Sequence, residues 1–228
     1  MHSSLDTLFE KQQSIYLNAF KHPMAQQELQ LTGADRPFEA GMLVVLKYPP
    51  ELTERLHQAS LAVASTIPAL TYAPEALYTT VAVGPKLHDL TDHEASKSEL
   101  QFSSWFFEEG LALGQSLTER IQITFTEWLY NSNTLIAASK ANQHFWQLAD
   151  QLVSSANKRS IRSAMPWGSH VTVSRFLADK TPASVMREPL SQLPGLPTKA
   201  ITPQGLELVH YECDSHGFRL RNRDFWNS

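Results

Sequence analysis

Ser169-His170-Val171-Thr172-Val173-Ser174-Arg175-Phe176 is the stretch on which the fold turns. Side chains on a strand alternate between faces, so His170, Thr172 and Ser174 point one way and Val171 and Val173 the other. A polar triplet on one face of an otherwise apolar strand suits the lining of a groove. An imidazole gives or takes a proton near neutral pH, and a threonine hydroxyl two residues on donates to an anionic oxygen. Together they point to phosphate chemistry. Strict alternation sends Arg175 to the back of the sheet as a structural cation, unless a bulge at the strand end turns it into the groove. Trp167, just before the strand, is a candidate to stack on a base, and Tyr72 and Tyr130 have similar standing. Alone, His-x-Thr is a weak pattern, whose plain alternative is a solvated histidine on a half-exposed strand.

Working outward, Phe145, Leu148, Ala149, Leu152 and Val153 repeat at helical spacing before this strand. Ahead of them, Ile121 to Thr126 alternates with period two, Asn131-Ser132-Asn133 turns the chain, and Thr134 to Ala138 pairs back. The first half shows a similar order. Met42 to Leu46 is a buried strand ended by Pro49 and Pro50, and Pro50 opens a helix through Leu52, Leu56, Ala59 and Val63. A second strand is expected from Ala76 to Val83, stopped by Gly84-Pro85. Residues 85–98 are polar and read as a surface loop, before an apolar-rich stretch from Leu100 to Leu117. After the central strand, residues 179–204 carry five prolines (Pro182, Pro189, Pro194, Pro197 and Pro203) and read as an irregular connection. Gly205 to Tyr211 and Phe218 to Leu220 then form a strand pair across a turn near Asp214-Ser215. The body runs strand–helix–strand twice.

The first half holds a counterpart to the deciding stretch: in Tyr78-Thr79-Thr80-Val81, Tyr78 and Thr80 share a strand face. On these residues the chain resembles the 2H phosphoesterase superfamily, the fold of RNA 2′,3′-cyclic phosphodiesterases and 2′-5′ RNA ligase-like proteins. The resemblance covers about residues 41–222. It implies an α+β, two-lobed, pseudo-symmetric fold, with antiparallel sheets lining a central groove and helices outside. It also implies one His-x-Thr/Ser motif per lobe, with no metal and no cofactor. His170 and Thr172 fill the second motif, including the Arg175-Phe176 ending. In the first, Thr80 is kept, but Tyr78 stands where the family pattern has histidine. Carried over residue by residue, His170 and Tyr78 are the acid–base pair, while Thr80, Thr172 and Arg175 bind the phosphoryl oxygens. His88 or His93 is a further stand-in for the missing histidine, although both lie in the polar stretch where a solvated fate is the plain reading.

Composition sets the outer limits. The 228 residues are 42% apolar and 18% charged with a formal net charge of -4, which excludes general polyanion binding such as to double-stranded DNA. Cys213 is the one cysteine, so no intramolecular disulfide or thiolate cluster forms. No run approaches the ~20 apolar residues of a membrane span. The start shows no basic segment leading into an apolar one, so the expected location is the cytoplasm. Residues 1–40 read as an N-terminal helical extension, with Ser4 capping a helix through Leu5, Leu8, Phe9, Ile15, Tyr16 and Ala19, and residues 41–228 as the phosphoesterase-like domain. The Arg219-Leu220-Arg221-Asn222-Arg223 segment is a basic, solvated end. No glycine-rich phosphate loop, His-x-x-x-His pair or Gly-x-Ser-x-Gly elbow is present. The function expected is metal-independent phosphodiester hydrolysis on a cyclic phosphate or an RNA or nucleotide terminus. The alternative is a silent module that binds a nucleotide or RNA end.

Overall fold

A computed structural model describes residues 38–177, 181–182, 185, 187–214 and 217–221, together with the short strands Leu17–Asn18 (β1) and Gln30–Leu31 (β2). Most of the helix expected from Ser4 to Ala19 lies outside the described residues, as does the end of the basic segment, Asn222-Arg223; Leu17–Asn18, where that helix is expected to end, form a strand paired with Leu129 and Tyr130. β3 (Glu39–Lys47) leads through Pro49 into helix α1 (Pro50–Ala64), with Pro50 in its first turn. β4 (Ala69–Thr71), a single 3-10 turn (Pro74–Ala76) and β5 (Thr79–Lys86) follow. The second half holds the hairpin β6 (Ile123–Tyr130) and β7 (Thr134–Ala141), helix α4 (Gln143–Lys158) and β8 (Val171–Phe176). β9 (Thr181–Pro182), β10 (Gly205–Cys213) and β11 (Phe218–Arg221) complete the strands.

All described pairings are antiparallel, and the main sheet runs β1-β6-β7-β8-β5-β3-β10-β11, with β4 attached to β8. The two lobes therefore share one open sheet. They join where β5 meets β8 at the single register pair Thr79↔Val171. Both residues are fully buried. The Thr79 hydroxyl shares a 2.7 Å hydrogen bond with the Tyr48 hydroxyl and lies 3.3 Å from the carbonyls of both Ser169 and His170.

Several expectations need correction. Residues 85–98 are not one loop, because helix α2 starts at Asp92 and runs to Trp105. Thr91 and Glu94 close a capping box that satisfies the first free backbone N–H groups of this helix. The polar face of α2 masked its periodicity, while Phe102 and Trp105 anchor the other face in the core. A π turn (Phe106–Gly110) carries it on into α3 (Leu111–Leu117). Gly84-Pro85 does not stop β5, and Ala76 precedes that strand rather than beginning it. Within the proline-rich connection, α5 (Arg187–Ser191) forms one short helix.

Gly84 is glycine for a packing reason. A Cβ there would lie 2.7 Å from Phe102 Cζ and 2.9 Å from the Met42 carbonyl oxygen. Gly84→Ala is therefore expected to cost about 1–3 kcal/mol, as overpacking of a tight core does. Urea unfolding of wild type and variant measures it, and equal midpoints would show that α2 gives way freely.

Candidate active site

Two bulges aim the side chains. On β8, Leu135 pairs with Ser174 and Ile136 with Thr172, so Val173 is the extra residue opposite β7. On β5, Val44 pairs with Ala82 and Val45 with Thr80, so Val81 is the extra residue opposite β3. Each bulge reverses the alternation beyond it. Ser174 thus leaves the face expected for it, and its buried hydroxyl donates to the Leu70 carbonyl at 3.1 Å. Arg175 turns the other way, into the groove. The antiparallel register around Thr79 and Val171 sets Tyr78 beside Thr172 and Thr80 beside His170.

These strands line one cavity of about 280 Å³, whose walls include Tyr78, Thr80, Trp167, His170, Thr172 and Arg175. These six, all site candidates from the sequence, are brought together there, and so is Tyr72. Tyr130 is not; it is buried in the core with no hydrogen-bond partner for its hydroxyl among the described residues. His88 is not a cavity residue either: its Nδ1 lies 3.1 Å from the Ala40 amide nitrogen and 3.0 Å from the Ala40 oxygen. His93 is exposed on α2.

The cavity has two unlike ends. At one, Trp167 lies over His170 with ring centroids 4.0 Å apart and 31° between planes, and Trp167 also packs against Leu129, Ile136 and Ala138. Burial lowers the His170 pKa to about 3, so the ring is neutral at physiological pH. At the other end, Phe218 of β11 gathers Tyr72 at 4.7 Å, Tyr211 at 6.1 Å and Tyr78 at 6.4 Å. Burial pushes the Tyr78 hydroxyl well above its ordinary value, and Tyr72 adds to the shift.

Arg175 stands at the Phe218 end. Its Nε donates to the Tyr72 hydroxyl at 2.5 Å, and its guanidinium lies 5.9 Å from the Phe218 ring centre. Burial opposes its charge, but Tyr72, Cys213 and Glu39 outweigh that and raise its pKa further. Helix α1 holds Tyr72 in turn: His57 Nδ1 bonds the Tyr72 carbonyl at 2.7 Å, and the Ser60 hydroxyl accepts the Tyr72 amide at 3.2 Å. Sequence reasoning missed Glu39, Tyr211 and Phe218 as cavity residues. The usable signal was strand parity, since Glu39 and Leu43 share a face of β3. Gly41 between them leaves space for the Tyr211 ring, which a Cβ would meet at 2.9 Å.

No protein-family profile matches the chain. No curated protein matches it by sequence. Solved structures do match in fold. TT0787 of Thermus thermophilus superposes with a TM-score of 0.50 and 17% identity, over 79% of this chain and 93% of that one. The chain shares its fold with that protein. Escherichia coli LigT complexed with 3′-AMP aligns at TM-score 0.43 and 13% identity, over 80% of this chain and 94% of LigT. The PDE domain of MHV ns2 aligns at 0.45 and 12%, over 76% and 99%. At 17% identity the likeness to TT0787 extends to the fold and assigns no role to any residue of this chain. Among the described residues, no group of three or more His, Cys, Asp or Glu is placed to hold a metal ion, and no helix is long and apolar enough to cross a membrane.

The half-buried His170, whose ring is held neutral by desolvation, predicts a pH dependence of stability. The unfolded ring takes its proton near pH 6.5 and the folded ring only near about 3. Between these values the unfolded state binds the extra proton, so stability falls as pH drops from about 6.5 towards about 3. His170→Gln should lessen that fall. Urea midpoints of wild type and variant at neutral pH and at pH ~4.5 check it, and identical losses would refute it.

Proposed function

We propose that this cavity hydrolyses a phosphodiester, either a cyclic phosphate or the terminus of an RNA or nucleotide, using acid–base chemistry from the chain itself. The observation that supports this most is the convergence of Tyr78, Thr80, His170, Thr172 and Arg175 on one cavity. Thr80 and Thr172 lie diagonally across the Thr79–Val171 pair on one face and donate to the non-bridging phosphoryl oxygens. Arg175 neutralises their charge and keeps its orientation through Tyr72.

The protonation states divide the labour. Neutral His170 accepts the proton of the attacking water as its oxygen bonds to phosphorus. Tyr78, still protonated, gives its proton to the leaving oxygen as the phosphorus–oxygen bond breaks. Transfer of the proton from His170 back to the Tyr78 oxygen through solvent restores the pair. Binding of the anionic substrate beside His170 raises the pKa of the ring and strengthens it as a base. At the His170 end, Trp167 bounds the space in which a nucleobase lies.

Turnover of nucleoside 2′,3′-cyclic phosphates in the presence of EDTA tests the proposal. Activity is expected in wild type, with losses of roughly 10²–10⁴-fold in His170→Ala and in Tyr78→Phe. Folded wild-type protein with no turnover of cyclic phosphates or 2′-5′ dinucleotides would overturn the hydrolytic reading. Binding that persists under those conditions would identify a silent nucleotide-binding module.

The pH–rate profile gives a second check. Loss of rate is expected on the acid side as His170 protonates. On the alkaline side the rate should hold to at least pH ~10, because the Tyr78 hydroxyl keeps its proton that far. A bell that falls just above neutrality would exclude Tyr78 as the acid.

A further inference from the structure

Glu39 is the one carboxylate among the described residues of the cavity wall, and Arg175 is the one permanent cation there. Glu39 lies on the first residue of β3, opposite Cys213 of β10. β10 pairs with β3 without a register shift from Gly205 to Cys213, so parity along β3 is undisturbed and Glu39 shares the face of Leu43, another cavity residue. Its charge is felt by Arg175 and by Tyr211, two cavity residues on different strands. A carboxylate in a phosphate site costs affinity for any anion, and the cost grows with each further negative charge on the ligand.

We infer that Glu39 sets the charge of the ligand that this cavity accepts, admitting a singly charged phosphodiester and disfavouring a doubly charged phosphomonoester. With His170 and Tyr78 neutral, Arg175 and Glu39 leave the wall close to neutral. A diester carries one negative charge, whereas a monoester carries nearly two above its second pKa of about 6. Hydrolysis of a diester creates that second charge inside the site. Glu39 therefore weakens the hold on the product as soon as it forms, and favours its release. This rests on the phosphodiester reading above, and adds to it a residue for substrate charge and product release.

Calorimetric titration at pH 8 with a 2′-deoxynucleoside 3′-monophosphate and with its methyl ester tests the inference. The methyl ester is a singly charged diester without the 2′-hydroxyl needed for internal attack. Wild type is expected to prefer the methyl ester. Glu39→Gln should bind both ligands more tightly and gain more for the monophosphate, shifting the ratio of affinities by roughly tenfold, less at high salt. In turnover, product inhibition should strengthen in Glu39→Gln while KM for the cyclic phosphate changes less. An unchanged ratio with both ligands still bound would overturn the role of Glu39 and leave the phosphodiester reading standing. Absence of binding by either ligand, to wild type and variant alike, would overturn both. Circular dichroism and melting temperature confirm that the variant is folded, and Glu39→Asp, which keeps the charge, should retain the wild-type ratio.

Discussion

Thr79 opposite Val171 is the one described register pair that ties β5 to β8, and the cavity depends on it. The pair lies midway between matching segments: Tyr78-Thr79-Thr80-Val81 on one strand, His170-Val171-Thr172-Val173 on the other. The Thr79 hydroxyl secures the junction from the core side through Tyr48 and the carbonyls of Ser169 and His170. Next to His170, the Ser139 hydroxyl bonds the Ser169 carbonyl, and the two serine hydroxyls lie 3.0 Å apart. This buried polar seam is well supplied with partners, and such seams fix a single arrangement of the strands around them. Tyr78 and Thr80, and His170 and Thr172, inherit their positions from it.

Symmetry in the backbone carries asymmetry in the side chains. Each half contributes a strand with a bulge one residue beyond its threonine. Yet one end of the cavity is an indole over an imidazole, and the other is a group of phenol and phenyl rings around Phe218. Burial acts on both titratable groups in the direction that removes charge, leaving His170 without a proton and Tyr78 with one. A pair of groups held in different protonation states is suited to taking a proton at one end and giving one at the other.

The parts legible in the sequence were those written in local patterns. His170 and Thr172 stood out because polar residues with period two interrupt an apolar strand, and the helix before them showed its stripe. The capping pair Thr91 and Glu94 was equally local, but the polar run around it suggested a loop. Other features had no local signature. Nothing in Thr172-Val173-Ser174 announces a bulge, so the exchange of Ser174 for Arg175 on the cavity face follows only from strand pairing. Glu39 shares the cavity wall with Arg175 and Tyr211 across more than a hundred residues of sequence, and no spacing rule connects them. Phe218 likewise joins the cavity only because β11 folds back along β10.

The bulges also bear on how this cavity tolerates change in chain length. Excising Val173 would restore strict pleating and leave Ser174 facing the rear and Arg175 the groove, because Thr172, Ser174 and Arg175 already pair with Ile136, Leu135 and Thr134 in unbroken order. Excising Val81 would likewise leave Thr80 opposite Val45 and Ala82 opposite Val44, on their present faces. The electrostatics of the cavity are thus set by the pairing register beyond each threonine rather than by the number of residues there. A one-residue slip that took Val173 into regular pairing, with every residue kept, would be the damaging change, since it would send Arg175 to the rear of the sheet and bring Ser174 forward.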